Sequence, residues 1–91
     1  MILISYDISN TKLRTSFSKM LTSHGAIRLQ YSVYELNHSP RIISLLMHHI
    51  EQRFQPLFTP DDSVVIFPVD EQKVIKMGNA IHRDQDVLFF E

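Results

Sequence analysis

The chain has no cysteine, no tryptophan and only 2 glycines among its 91 residues. Without cysteine there are no disulfides, thiolate zinc sites, iron–sulfur clusters or cysteine nucleophiles. Such a chain suits a reducing cytosol. Two glycines cannot furnish a glycine-rich phosphate cradle. Neither a Walker loop, G-x-G-x-x-G, G-x-S-x-G nor H-E-x-x-H occurs in the sequence. Long apolar runs are also lacking. The run Met1–Ile4 is far too short for a signal peptide or a membrane span. Position 2 is Ile and the sequence closes on Phe-Phe-Glu, so no lipidation signal is read. The expectation is a cytoplasmic protein with no membrane contact.

What is present is ordinary globular material: 44% apolar, 21% charged and 10% aromatic residues, with a net charge of −1. This argues against disorder, and the length gives a single domain over residues 1–91. Charge is unevenly spread. Residues 1–53 carry six basic and three acidic groups, a net +3, whereas residues 54–91 carry a net −4. A chain so divided can turn one basic face to a polyanion, or fold its halves into a mixed surface.

Residues 1–8 alternate as a strand. Ile2, Ile4, Tyr6 and Ile8 form one apolar row, and Leu3, Ser5 and Asp7 lie opposite. Ser9-Asn10-Thr11 offers N-caps for a helix whose buried stripe is Leu13, Phe17, Met20 and Leu21, stopped at Gly25. Residues 26–36 are β-rich, either one long strand or two short ones broken near Tyr31-Ser32. Ile27, Leu29, Tyr31 and Val33 alternate there with Arg28, Gln30, Ser32 and Tyr34. Ser39-Pro40 opens a second helix with Ile43, Leu46, Met47, Ile50 and Phe54 inward. Pro56 and Pro60 bracket the following loop, and Ser63–Val69 reads as an apolar strand. Val74, Ile75 and Met77 suggest a further short strand, Gly78-Asn79 a turn, and Val87–Phe90 a terminal strand.

The order predicts an α+β, ferredoxin-like βαββαβ sandwich with extra C-terminal strands. Two helices on one face leave the other face of the sheet uncovered. Leu3, Ser5, Asp7, Arg28, Gln30 and Ser32 are expected there. Such a face suits pairing with a second copy.

Asp7 is the most informative acid, ending an apolar strand just before a polar turn. One carboxylate is a poor site for Mg2+, which wants several oxygens. A twofold dimer supplies a second Asp7, and a divalent cation would relieve their repulsion. The competing reading is a helix cap or an Arg partner. Among five histidines, His48 and His49 are adjacent on a helix and point about 100° apart, a poor metal pair. His24, His38 and His82 fall on loops or helix ends. Lys12, Arg14, Lys19 and Arg28 are candidate phosphate contacts or simply a solvated helix face. Tyr6, Tyr31 and Tyr34 suit base stacking or sheet packing. Ser32 lacks an evident base to make it a nucleophile.

Tyr6-Asp7-Ile8, Lys12-Leu13-Arg14 and Arg28-Leu-Gln30-Tyr-Ser32-Val-Tyr-Glu35 together resemble the small CRISPR-associated adaptation endonuclease family, Cas-two. Ser63-Val-Val-Ile-Phe-Pro and the segment ending at Gly78 extend the resemblance along the chain. It implies a symmetric homodimer in which a C-terminal segment, about 70–91, adds to the partner's sheet. It also implies metal-dependent hydrolysis of phosphodiesters in single-stranded RNA or double-stranded DNA. Asp7 matches the family's catalytic, metal-binding aspartate, with Mg2+ (or Mn2+) activating water and stabilising the pentacoordinate phosphate. Arg14 and Arg28 match its nucleic-acid contacts, and Lys12 is added for its charge and position. The family also bridges two integrase dimers in spacer acquisition, holding protospacer duplex DNA, with its nuclease activity dispensable. Asp61-Asp62 and the C-terminal strand are candidate integrase-docking elements. Alternatives are a toxin-like endoribonuclease of similar fold, a ligand-sensing ferredoxin-like module, and a non-catalytic scaffold.

Overall fold

The computed structural model describes residues 1–80. The first strand, β1 (Ile2–Asp7), is followed by α1 (Thr11–Ser23), β2 (Ile27–Gln30), β3 (Val33–Leu36), α2 (Pro40–His49) and β4 (Ser63–Pro68). The sheet is ordered β2-β3-β1-β4, and every neighbouring pair is antiparallel. This is the βαββαβ order expected from the sequence.

Each helix starts where a side chain can satisfy its free amides. Asn10 Oδ1 accepts from the Leu13 amide at 2.8 Å, so Asn10, not Asp7, caps α1. Ser39 caps α2 through the Ile42 amide, with Pro40 in the first turn. Gly25, at φ +95°, takes the left-handed conformation that stops α1. Beyond α2 the chain does not end its helix cleanly. It widens into a π turn over Ile50–Phe54 and a 3-10 turn over Gln55–Leu57.

The core lies between the helices and the even-numbered face of β1. Ile2, Ile4, Tyr6 and Ile8 pack with Phe17, Met20 and Leu21 of α1 and with Leu46, Ile50 and Phe54. Phe17 is fully buried, its ring edge-to-face with both Tyr6 and Phe54 at 4.8 and 5.2 Å.

The region left open in the sequence resolves into two strands. Tyr31 and Ser32 form the turn of a hairpin, and Gln30 pairs with Val33. The strict alternation expected across 26–36 fails because the register slips between Arg28 and Gln30. Leu29 is the extra residue of a bulge, which leaves Arg28 opposite Tyr34 and on the helix side. Leu29 is buried, while Arg28 pairs with Tyr34 in register and bonds to its hydroxyl. Arg28 therefore does not join Leu3, Ser5 and Asp7 on the open face. Tyr34, expected on the polar side, is core. Ile27, expected inward, faces out at 45% exposure.

The open face of the sheet is mixed, with an apolar patch made by Leu3, Val33, Val65 and Phe67. Leu3 stands between Glu35 and Phe67, and Ser5 between Val33 and Val65. Val65 and Phe67 are 48% and 46% exposed. Residues 70–80 form two 3-10 turns, Glu71–Lys73 and Gly78–Ala80, and not the short strand expected at Val74–Met77. This stretch is tied back to the domain. Val69 donates to the Met1 carbonyl, Asn37 donates to Glu71, and Lys76 forms an ion pair with Glu35 at 2.5 Å. The expected strand Val87–Phe90 lies outside the described residues.

Candidate nucleic-acid interface

The loop from β1 into α1 is held from two sides. Asp62 accepts from the Ser9 amide at 3.0 Å, the Ser9 hydroxyl at 3.1 Å and the Thr59 amide at 2.8 Å. These hydrogen bonds, led by the Ser9 amide, hold its carboxyl below the ordinary carboxylate value. Asp62 thus clips the β1–α1 loop to the loop before β4. Arg14 fixes the same loop from the helix. Its Nη1 donates to the Ile8 carbonyl at 2.9 Å, and its Nη2 to Thr11 Oγ1 at 3.3 Å.

Asp7 sits at the end of β1, exposed and opposite Ser63 in the neighbouring strand. It lies on the open face of the sheet. Among the described residues its carboxylate makes no hydrogen bond or ion pair, and no group of three or more His, Cys, Asp or Glu side chains gathers to hold a metal. Among the described residues Asp7 is thus a lone carboxylate, which by itself does not meet the several-oxygen demand of Mg2+.

The basic residues gather elsewhere. Arg14, Lys19 and Arg28 line a concavity of about 200 Å3 together with Tyr6, Thr15, Ser18 and Tyr31. Lys19 also lines a broad groove along α1 with Asn10, Thr11, Lys12, Thr15 and Ser16. Lys12, Lys19, Arg14 and Arg28 thus form one continuous basic surface, joined through Lys19. The bulge at Leu29 is what brings Arg28 to it. Of the expected site residues, Arg14, Arg28 and Lys12 come together here, and Asp7 stands apart.

Arg28 is held by hydroxyls and rings. Its Nε donates to Tyr34 Oη at 3.1 Å and its Nη2 to Ser18 Oγ at 3.3 Å. The two hydroxyls bond each other at 2.5 Å. The guanidinium carbon lies 5.8 Å from the Tyr31 ring centre and 5.5 Å from that of Tyr34. Tyr34 is buried beside Tyr6, whose phenol burial pushes above its ordinary value. Tyr31, at 68% exposure, offers its ring at the rim. Nothing in the local sequence marks Ser18. It lies four residues after Arg14 on the polar side of α1, but only the fold sets it against β3.

His24 and His49, widely separated in sequence, meet at the C-terminal ends of the two helices, with Nε2 and Nδ1 3.4 Å apart. Burial, then His24, Arg53 and His48, hold the His49 imidazole below its ordinary value. His48 does not share this contact, in keeping with the expected divergence of adjacent helical residues.

A two-helix layer on a four-stranded antiparallel sheet, in βαββαβ order, defines a small α+β protein class. The family model of CRISPR associated protein Cas2 matches residues 1–77, and the chain belongs to that family. Membership associates it with CRISPR adaptation. Two crystal structures share the architecture. The hypothetical protein TT1823 from Thermus thermophilus superposes with a TM-score of 0.68 at 26% identity, covering 85% of this chain and 88% of that one. Streptococcus pyogenes Cas2 at pH 6.5 superposes with a TM-score of 0.63 at 23% identity, covering 85% and 98%; that likeness concerns the fold. No curated protein matches the chain. Among the described residues, no helix is long and apolar enough to cross a membrane.

Proposed function

We propose that the protein is the dimeric bridge of a spacer-integration complex, binding protospacer duplex DNA on its basic edge and an integrase subunit elsewhere. The observation that carries this reading is the continuous surface of Lys12, Arg14, Lys19 and Arg28, within a chain whose net charge is −1. A duplex backbone is a line of phosphates, and cations concentrated on one edge match it better than an evenly mixed surface does. The apolar patch of Leu3, Val33, Val65 and Phe67 on the open face supports a homodimer, because such a patch is normally covered.

The endonuclease half of the reading rests on Asp7. It needs a second copy to bring its Asp7 to the first, since the described residues of one chain gather no set of ligands for Mg2+ or Mn2+. With two Asp7 carboxylates brought together, the same dimer would support metal-dependent phosphodiester hydrolysis, and the toxin-like hydrolysis of RNA is the alternative. The deciding experiment pairs binding with cleavage. Wild type and Asp7→Asn are incubated with duplex DNA and single-stranded RNA, in Mg2+, Mn2+ and EDTA. Salt-sensitive duplex binding by both proteins, without cutting, establishes the scaffold. Metal-dependent cutting that Asp7→Asn abolishes adds the nuclease and reports its substrate. Absence of binding by the wild type overturns the proposal.

A further inference from the structure

An arginine on a β-bulge at a sheet edge has four side-chain torsions and an extended reach, so its charge is normally spread over many positions. Arg28 is not free in this way. Two of its five N–H donors are taken, Nε by Tyr34 and one of the Nη2 pair by Ser18. Its plane lies within cation–π distance of Tyr31 and Tyr34. The two hydroxyls that accept from it are themselves bonded at 2.5 Å, one anchored on α1 and the other in the core. The remaining donors belong to Nη1 and Nη2. The edge left open is therefore the end of the fork, facing the concavity that Arg14 and Lys19 also line. The Nε edge is closed to any ligand.

We infer that Tyr34 and Ser18 are positioning residues for Arg28: their paired hydroxyls hold its guanidinium so that only the Nη1–Nη2 edge meets a backbone phosphate of bound nucleic acid. This inference rests on the proposed nucleic-acid surface. It adds two uncharged side chains that touch no phosphate themselves. Their contribution is to remove, before binding, the rotamer freedom that Arg28 would otherwise lose on contact. A lysine at 28 has neither the planar fork nor the Nε donor, so it cannot use the brace.

The test is a double-mutant cycle on duplex affinity, read by fluorescence anisotropy with a labelled 30-base-pair DNA over a range of salt. Tyr34→Phe removes one oxygen and keeps the ring. It is expected to weaken binding about 3- to 10-fold without changing the salt slope. Ser18→Ala is expected to act in the same direction. Arg28→Ala is expected to lower the slope by about 0.9, one phosphate contact. Adding Tyr34→Phe to Arg28→Ala is expected to cost nothing further, because the brace then has nothing to hold. A role in folding alone would weaken both backgrounds equally, and that additivity overturns the inference. Wild-type affinity in both Tyr34→Phe and Ser18→Ala also overturns it. Thermal melts of each variant confirm that the fold is kept. A wild-type protein that does not bind DNA fails the proposed surface itself, a result distinct from either.

Discussion

Arg28 and Tyr34 face each other across the β2–β3 pair, with Arg28 Nε 3.1 Å from Tyr34 Oη on the helix side of the sheet. The contact exists because the bulge at Leu29 breaks the alternation of the first hairpin strand. Without that extra residue, strict alternation along 27–34 would set Arg28 on the open face with Asp7, away from α1. A single irregularity in the ladder thus decides whether the chain has one basic edge or two separated groups of charge.

The Asp62 clip predicts a specific acid response. Its folded-state carboxyl titrates below the ordinary value of 3.8, so the unfolded chain takes up the proton first as pH falls. The stabilisation is therefore complete above that ordinary value and is lost as pH drops through the lower folded value. Asp62→Asn should melt at a lower temperature than wild type at pH 6. The two melting curves should converge as the pH is taken below 3.8. A difference that persists undiminished in acid would mean that the charge of Asp62 is not what holds Ser9 and Thr59.

The histidine pair predicts a second response in a higher window. The folded His49 imidazole titrates below its ordinary 6.5, so the unfolded chain binds the proton more readily. Stability should be full above that ordinary value, decline as pH falls from it towards the lowered value, and then level off. Urea midpoints measured from pH 8 to pH 5 on wild type and His49→Gln should show a shallower decline in the variant. His24→Gln should reduce the decline in part, since His24 is the leading charged neighbour after burial itself.

The core makes a prediction of ordinary size. Phe17 is fully buried between the Tyr6 and Phe54 rings, at the contact of α1 with the sheet and with the turn after α2. Phe17→Ala should cost about 3–5 kcal/mol by chemical denaturation, which is enough to threaten folding in a domain this small. Phe17→Leu should recover most of that loss.

Much of this arrangement is legible in the sequence because it rests on local rules. The alternation of β1, the stripe of α1 and the Ser39-Pro40 start each need only a few neighbouring residues. What is not legible depends on partners far away in the chain. Tyr31-Ser32 is a weak turn signal, and only pairing with Val33 and Tyr34 reveals both the turn and the bulge. The contacts of Asp62 are not legible either, because Ser9 lies 53 residues away. The π turn at Ile50–Phe54 still buries Ile50 and Phe54, as the helical stripe anticipates, so the pattern predicts burial where it misses the geometry. The apolar Val74-Ile75 reads as a strand, yet no free sheet edge receives it among the described residues.

The open sheet face supplies the last prediction. Val65 and Phe67 stand on β4 with nearly half their surfaces exposed, beside Leu3 and Val33 on the same face. Their exposure means that a charge placed there meets water in the single chain and disturbs little of the core. In a homodimer formed through this face, the same charge would be desolvated without a partner. Val65→Glu and Phe67→Glu should therefore keep the far-ultraviolet spectrum and shift sedimentation from dimer to monomer. Ser44→Glu, on the exposed side of α2, serves as a charge-matched control and should leave the dimer intact. If the Val65 and Phe67 variants sediment as the wild type does, a homodimer must use another surface. The apolar residues of β4 would then need a different explanation, one in which Asp7 of two copies is not brought together across this face.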